Sequence, residues 1–109
     1  MDLGIKVNSV WLVDLDPTIG SEIRKICPCL VVSPKEMNQL INTVIVAPLT
    51  SAIRTFPFRV NSKFQGKSGQ VALDQIRCVD KSRLFKKLGD LSETESILVS
   101  NTLIEIFQQ

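Results

Sequence analysis

The chain has 109 residues, 44% of them hydrophobic and 22% charged; these are globular values, and one domain over residues 1–109 is the expectation at this length. It is too short for a dinucleotide-binding doubly wound fold or a TIM barrel. Thirteen Lys plus Arg against eleven Asp plus Glu leave +2, and there is no histidine, which argues against a nonspecific nucleic-acid coat and removes the usual general base and commonest metal ligand.

Val10–Leu15 is rich in strand formers and predicts a first strand, broken by Asp16-Pro17. The polar stretch through Lys25 continues that loop, with Pro17 serving the turn. Cys29–Val32 is apolar on both faces and predicts a central strand. Ser33-Pro34-Lys35-Glu36 has a capping serine, a proline at the first helical position and a glutamate in the first turn, which predicts one short helical turn. Thr43–Ala47 is short and β-branched and reads as a strand, as does Phe58–Val60. Residues 69–73 and 75–79 form a strand pair or one long bent strand. Asp80–Lys87 reads as a helical turn, and Ser92 with Glu95 forms a capping box opening a helix to about Phe107. On that helix Asn101, Thr102 and Glu105 share one side, while Ile97, Val99, Leu103, Ile104 and Phe107 cover most of the rest. The sum is a mainly β fold of five or six short strands, a bent antiparallel sheet or open barrel with a C-terminal α-helix.

Cysteines stand at 27, 29 and 78. Cys27 and Cys29 flank Pro28 and are expected on opposite faces of an extended strand. Three cysteines without histidine cannot complete a standard zinc site, so no metal and no cofactor is expected. Reduced thiols, no signal peptide and no apolar run of membrane-spanning length predict a cytoplasmic protein without membrane contact. Arg77, Lys81, Arg83, Lys86 and Lys87, opposed by Asp80, read as a solvated face. Trp11 is expected in the core or at an interface, and Phe56 and Phe58 in core packing rather than in base stacking.

Five segments in order carry a specific resemblance: residues 10–18, Gly20-Ser21-Glu22, residues 28–33, Ala47-Pro48-Leu49-Thr50-Ser51 and residues 73–81. Over about residues 8–107 they resemble the MazF/PemK toxins of toxin–antitoxin pairs. The resemblance implies a bent, SH3-like (PemK/CcdB-like) barrel with a C-terminal helix, acting as a homodimer. It implies metal-independent, sequence-specific cleavage of single-stranded RNA, an mRNA interferase causing growth arrest. It also implies an antitoxin whose acidic, disordered tail occupies the same groove. A non-catalytic toxin of the same fold, acting on a protein as CcdB acts on gyrase, is the alternative, as is a peptide-binding module.

Within that resemblance, Thr50 matches a threonine ending the third strand. The family arginine just before the proline of the second strand is replaced by Cys27. A thiol is a weak donor, neutral near pH 7, and cannot supply a guanidinium's fixed charge and planar fork, so the chain is expected to be catalytically impaired. Arg24 or Lys25 swinging in, a naturally weakened relative, and mutational loss of the arginine all remain open. Glu22 is the remaining general-base candidate, or else a solvent-exposed loop carboxylate. Arg24 and Lys25 fit phosphate contacts. Asp74 and Gln75 lie where some relatives hold RNA, or else cap a strand end. Ser21, Ser51 and Arg77 complete the expected RNA-contacting set. Ala72 departs from relatives with arginine there.

Overall fold

The computed structural model describes residues 4–23 and 25–109. Seven strands run through it: β1 (Ser9–Asp14), β2 (Ile26–Val31), β3 (Thr43–Thr50), β4 (Arg59–Phe64), β5 (Lys67–Ala72), β6 (Arg77–Asp80) and β7 (Leu84–Asp90). Two helices, α1 (Lys35–Leu40) and α2 (Glu93–Phe107), and 310 turns at Leu73–Gln75 and Lys81–Arg83 complete the described chain. The strand order is β4-β5-β3-β2-β1-β7, with β6 also on β3, and every pairing is antiparallel.

β2 is central, as its two-sided apolar pattern predicts. Its residues alternate between two cores. Cys29 and Val31 join Trp11, Val13, Leu15, Val44, Val46 and Val79 in the first. Leu30 joins Val10, Ala47, Val60, Val71, Leu73, Leu91 and Val99 in the second. Trp11 is buried in the first, where its Nε1 donates to Ser9 Oγ at 3.0 Å.

β5 and β6 are one bent path interrupted by the 310 turn. β5 pairs with Leu49 and Thr50 at the end of β3, and β6 pairs with Thr43–Val46 at its start. The sheet also curls until its ends meet. Gln65 Nε2 at the β4–β5 turn donates to Leu88 O of β7 at 2.9 Å. Gly89, with φ +153°, lets the Phe64 ring approach to 3.4 Å of where a β-carbon would stand. The result is the half-barrel the sequence implies.

Four expectations need correction. Asp80–Lys87 is not a helical turn: only Lys81–Arg83 is 310, and Leu84 begins β7, which pairs with β1. Cys27 and Cys29 share a face of β2, with sulfurs 3.7 Å apart, because side chains alternate along a strand and residues two apart point the same way. Ser33 caps nothing. Its hydroxyl donates to Asn38 Oδ1 at 2.5 Å and accepts from Ile45 N at 3.0 Å, so α1 starts without a side-chain cap. Ser92 does cap α2, accepting from Glu95 N. The Glu95 carboxylate turns instead to β4, accepting from Ser62 Oγ and Lys63 N, each at 2.9 Å. That ties α2 across the sheet beside Val99 and Leu103, its contributions to the second core.

Candidate functional site

The β1–β2 loop is pinned at its base. Leu15 N donates to Lys25 O at 2.9 Å and Lys25 N to Asp16 Oδ1 at 3.0 Å. Lys25 takes φ +70° there, exposed at the loop's end. Two arginines hold the loop from below: Arg77 Nη1 donates to Leu15 O at 3.0 Å, and Arg83 Nη1 donates to Asp14 O at 3.0 Å and to Asp16 O. Arg77 and Arg83 of the basic run are therefore structural tethers rather than a freely solvated face. Arg24 lies outside the described residues.

The loop is also clamped from the side. Gln75 Oε1 accepts from Ile23 N at 2.7 Å, and its Nε2 donates to Ser21 O at 3.4 Å. An amide committed at both ends positions the loop. Glu22 Oε1 accepts from Ile19 N at 2.5 Å, so this exposed carboxylate closes its own turn.

Two adjoining recesses result. One, of about 370 Å³, is walled by Ser21, Glu22, Pro48, Asp74, Gln75 and Arg77, among others. The other, of about 340 Å³, is lined by Ser21, Thr50, Arg54, Phe56, Arg59, Asp74 and others. Ser21, Asp74 and Gln75 face both, whereas Glu22 and Thr50 face different ones. A third recess of about 300 Å³ is lined by Pro28, Thr50, Ser51, Leu88 and residues of the β4–β5 hairpin, among others. Thr50 Oγ1 accepts from Ala52 N at 3.1 Å, capping the strand end.

Three residues of the second recess were not anticipated as a group. Arg59 grips Asp74 through two hydrogen bonds, Nε to Oδ1 at 2.5 Å and Nη2 to Oδ2 at 3.1 Å. Its guanidinium carbon also stands 5.7 Å from the Phe56 ring centroid. Phe56 stacks on Phe58 with centroids 5.1 Å apart, and neither ring belongs to the two core clusters. The core-packing expectation for these rings is corrected: they form an aromatic step beside a bidentate ion pair. A carboxylate held this way keeps an acceptor edge that points where the fork allows. No sequence pattern links residues 56, 59 and 74. Only the strand register places them together, Arg59 lying opposite Ala72.

Cys27 lies outside the linings of these three recesses. It is half-buried opposite Val13 and packs against the first core. A hydrogen bond from Cys29 holds the Cys27 thiol below its ordinary pKa, against the opposing effect of burial. The same bond, with burial, pushes the Cys29 thiol upward, partly offset by the charge of Arg77. Among the described residues no group of three or more His, Cys, Asp or Glu could hold a metal ion.

The fold agrees with the comparisons. Residues 6–107 match the family described as the PemK-like, MazF-like toxin of type II toxin-antitoxin systems. The chain is 34% identical to the endoribonuclease MazF of Staphylococcus epidermidis over 105 residues, covering 91% of this chain and 88% of that protein. It is 38% identical to the endoribonuclease PemK of Escherichia coli over 91 residues, 78% of this chain and 68% of that protein. The fold superposes on MazF from Deinococcus radiodurans with a TM-score of 0.82 at 25% identity, covering 95% and 96% of the two chains. It superposes on MazF in a MazE-MazF structure from the same organism with 0.74 at 25% identity, covering 95% of each. The chain belongs to the PemK/MazF toxin family.

Proposed function

We propose that this chain is the toxin of a toxin–antitoxin pair, one domain that cleaves single-stranded RNA without a metal, and that Cys27 weakens it. The family match over residues 6–107 carries this reading, and relatives that share a third or more of its residues are endoribonucleases by name. The 2′-hydroxyl attacks phosphorus, its proton passes to a base, the bond to the 5′-oxygen breaks, and that oxygen takes a proton. The products are a 2′,3′-cyclic phosphate and a 5′-hydroxyl. Glu22 is the base if the loop turn opens, since its oxygen is held by Ile19 N. Thr50 supports the phosphate from the end of β3. Ser21, Ser51, Asp74, Gln75 and Arg77, with Arg24 and Lys25, border the RNA path. Cys27 supplies no fixed charge to the developing phosphorane. Losing one such preorganised donor costs about 3–4 kcal/mol, or roughly 10²–10³ in rate.

The partner that silences the toxin is an antitoxin with an acidic, disordered tail, a reading supported by the structural match to MazF in a MazE-MazF structure. The test is Cys27→Arg. Cleavage of a single-stranded RNA should rise by about 10²-fold or more, EDTA should leave it unchanged, and 2′-deoxyribose at the cut site should stop it. Equal rates for the two versions, or a strict requirement for Mg²⁺, would overturn the reading.

A further inference from the structure

Two glutamines fix the walls of the recess that holds the aromatic step. Gln70, 4% exposed, accepts from Arg54 N at 3.0 Å and donates to Arg54 O at 2.9 Å and to Asn61 Oδ1 at 3.0 Å. It holds residue 54 by both backbone groups, as a neighbouring strand would, although the β3–β4 connection has no ladder there. Gln75 holds the β1–β2 loop in the same manner, through Ile23 N and Ser21 O. The recess of about 340 Å³ lies between these two held segments, a size that suits a small ligand group. Its wall carries an aromatic ring and a carboxylate. Phe56 is 44% exposed, with Phe58 stacked on it and Arg59 beside it. The Asp74 side chain is 27% exposed, while that of Arg59 is 8% exposed. A carboxylate offers about four lone-pair sites, and Arg59 takes one on each oxygen. Asp74 therefore keeps acceptor capacity in a recess whose geometry is set before a ligand arrives.

We propose, resting on the ribonuclease reading above, that this recess is a subsite for one unpaired nucleotide of the RNA, and that it rejects uracil. The base lies against Phe56, since any base has a π-face to offer an aromatic ring. Its exocyclic amino group donates to Asp74, the contact that a carboxylate makes to cytosine N4. Adenine, cytosine and guanine each carry such an amino group. Uracil does not: its N3–H is flanked by two carbonyl oxygens, which the carboxylate repels. Thr50 lines the same recess, so the subsite adjoins the residue that supports the phosphate in that reading. Arg54 is exposed on the wall and offers a cation to the nucleotide's phosphate. An acidic peptide suits the place less well, because its carboxylates meet the carboxylate of Asp74 while Arg59 is buried in its pair.

The experiment partitions a random pool of single-stranded RNA on the full-length parent chain and sequences what is retained. One position of the retained RNA should be depleted of uracil by about 10-fold. In Asp74→Asn, whose amide can donate to a carbonyl as well as accept, that depletion should fall to about 2-fold or less, with preferences at other positions kept. Phe56→Ala should weaken binding of the selected RNA by about 5-fold or more. It replaces an exposed ring outside both cores, so it decides the matter if Asp74→Asn fails to fold. No RNA retained by the parent, no uracil-depleted position, depletion unchanged in Asp74→Asn, or parental affinity in Phe56→Ala would each overturn the subsite. So would a labelled acidic peptide that loses affinity in both variants while the RNA does not, which would give the recess to the antitoxin tail. The readout is binding, so failure of Cys27→Arg to cut RNA would defeat the ribonuclease reading and leave this result standing.

Discussion

A β-carbon on Gly69 would meet the carbonyl oxygen of Thr50 at 2.5 Å, so β5 approaches the end of β3 more closely than any other residue type allows. The contact is with backbone and cannot be relieved by a rotamer change. Gly69→Ala should therefore destabilise the fold by about 1–3 kcal/mol, read as a lower urea midpoint at unchanged slope. It should also displace Thr50 and slow cleavage in a Cys27→Arg background more than the stability loss explains. Wild-type stability would refute this packing. Cys27 makes a second prediction at the same scale. Its thiol sits below its usual pKa because Cys29 donates to the charged form. The thiolate, which is the reactive species, should then persist to lower pH than in an unperturbed thiol. In Cys78→Ser, the rate of alkylation plotted against pH should have its midpoint below that of an unperturbed thiol. It should shift upward in Cys29→Ala, which removes the donor that favours the Cys27 thiolate. A midpoint that ignores Cys29 would show that the two sulfurs do not share a proton.

Among the elements, β1, β2, β3 and α2 were legible because their residues carry the period of their final state. β2 in particular is apolar on both faces and ends up covered on both. β7 was not legible. Its Phe85, Lys86 and Lys87 are all exposed, and Gly89 interrupts it, so it has no alternating face. It is a strand because β1 offers an open edge, and its charges suit a sheet edge that must not pair further. The aromatic step and the Arg59–Asp74 pair were illegible for the same kind of reason: a register 15 residues deep brings them together. Gln75 entered as a candidate site residue only through the family resemblance, and its amide holds the loop. The capping box was half right. Glu95 serves β4 rather than its own helix, which gives it a larger role than a cap. Glu95→Ala should cost about 1–3 kcal/mol, the range for hydrogen bonds to a charged acceptor, toward the low end because Lys63 is exposed. Hydrogen exchange should show α2 and β4 losing protection together. A loss confined to the first turn of α2 would mean that the carboxylate acts only as a cap.

The whole molecule leaves apolar surface without cover. Only Val99 and Leu103 of α2 reach the second core, while Ile97, Leu98, Ile104 and Phe107 remain 49–66% exposed, as does Phe85 at 54%. The helical wheel, apolar over most of its circumference, is thus explained only in part by the chain's own core. Isolated exposed apolar residues are ordinary, but several on one 15-residue helix make a surface that favours a partner. A second copy meets that need by two-fold symmetry, so a homodimer is expected in solution. Its RNA path should be open to an acidic peptide as well, because both ligands seek the same cations along the β1–β2 loop. Each affinity should fall as salt rises. Cys27 subtracts one charge from that path and leaves Lys25, so binding should suffer less than cleavage. Light scattering fixes the mass, and fluorescence anisotropy with a labelled RNA, titrated with the antitoxin tail, fixes the competition. A strict monomer at concentrations where the antitoxin still binds tightly would refute the dimer. RNA that stays bound while the antitoxin saturates would refute the shared path.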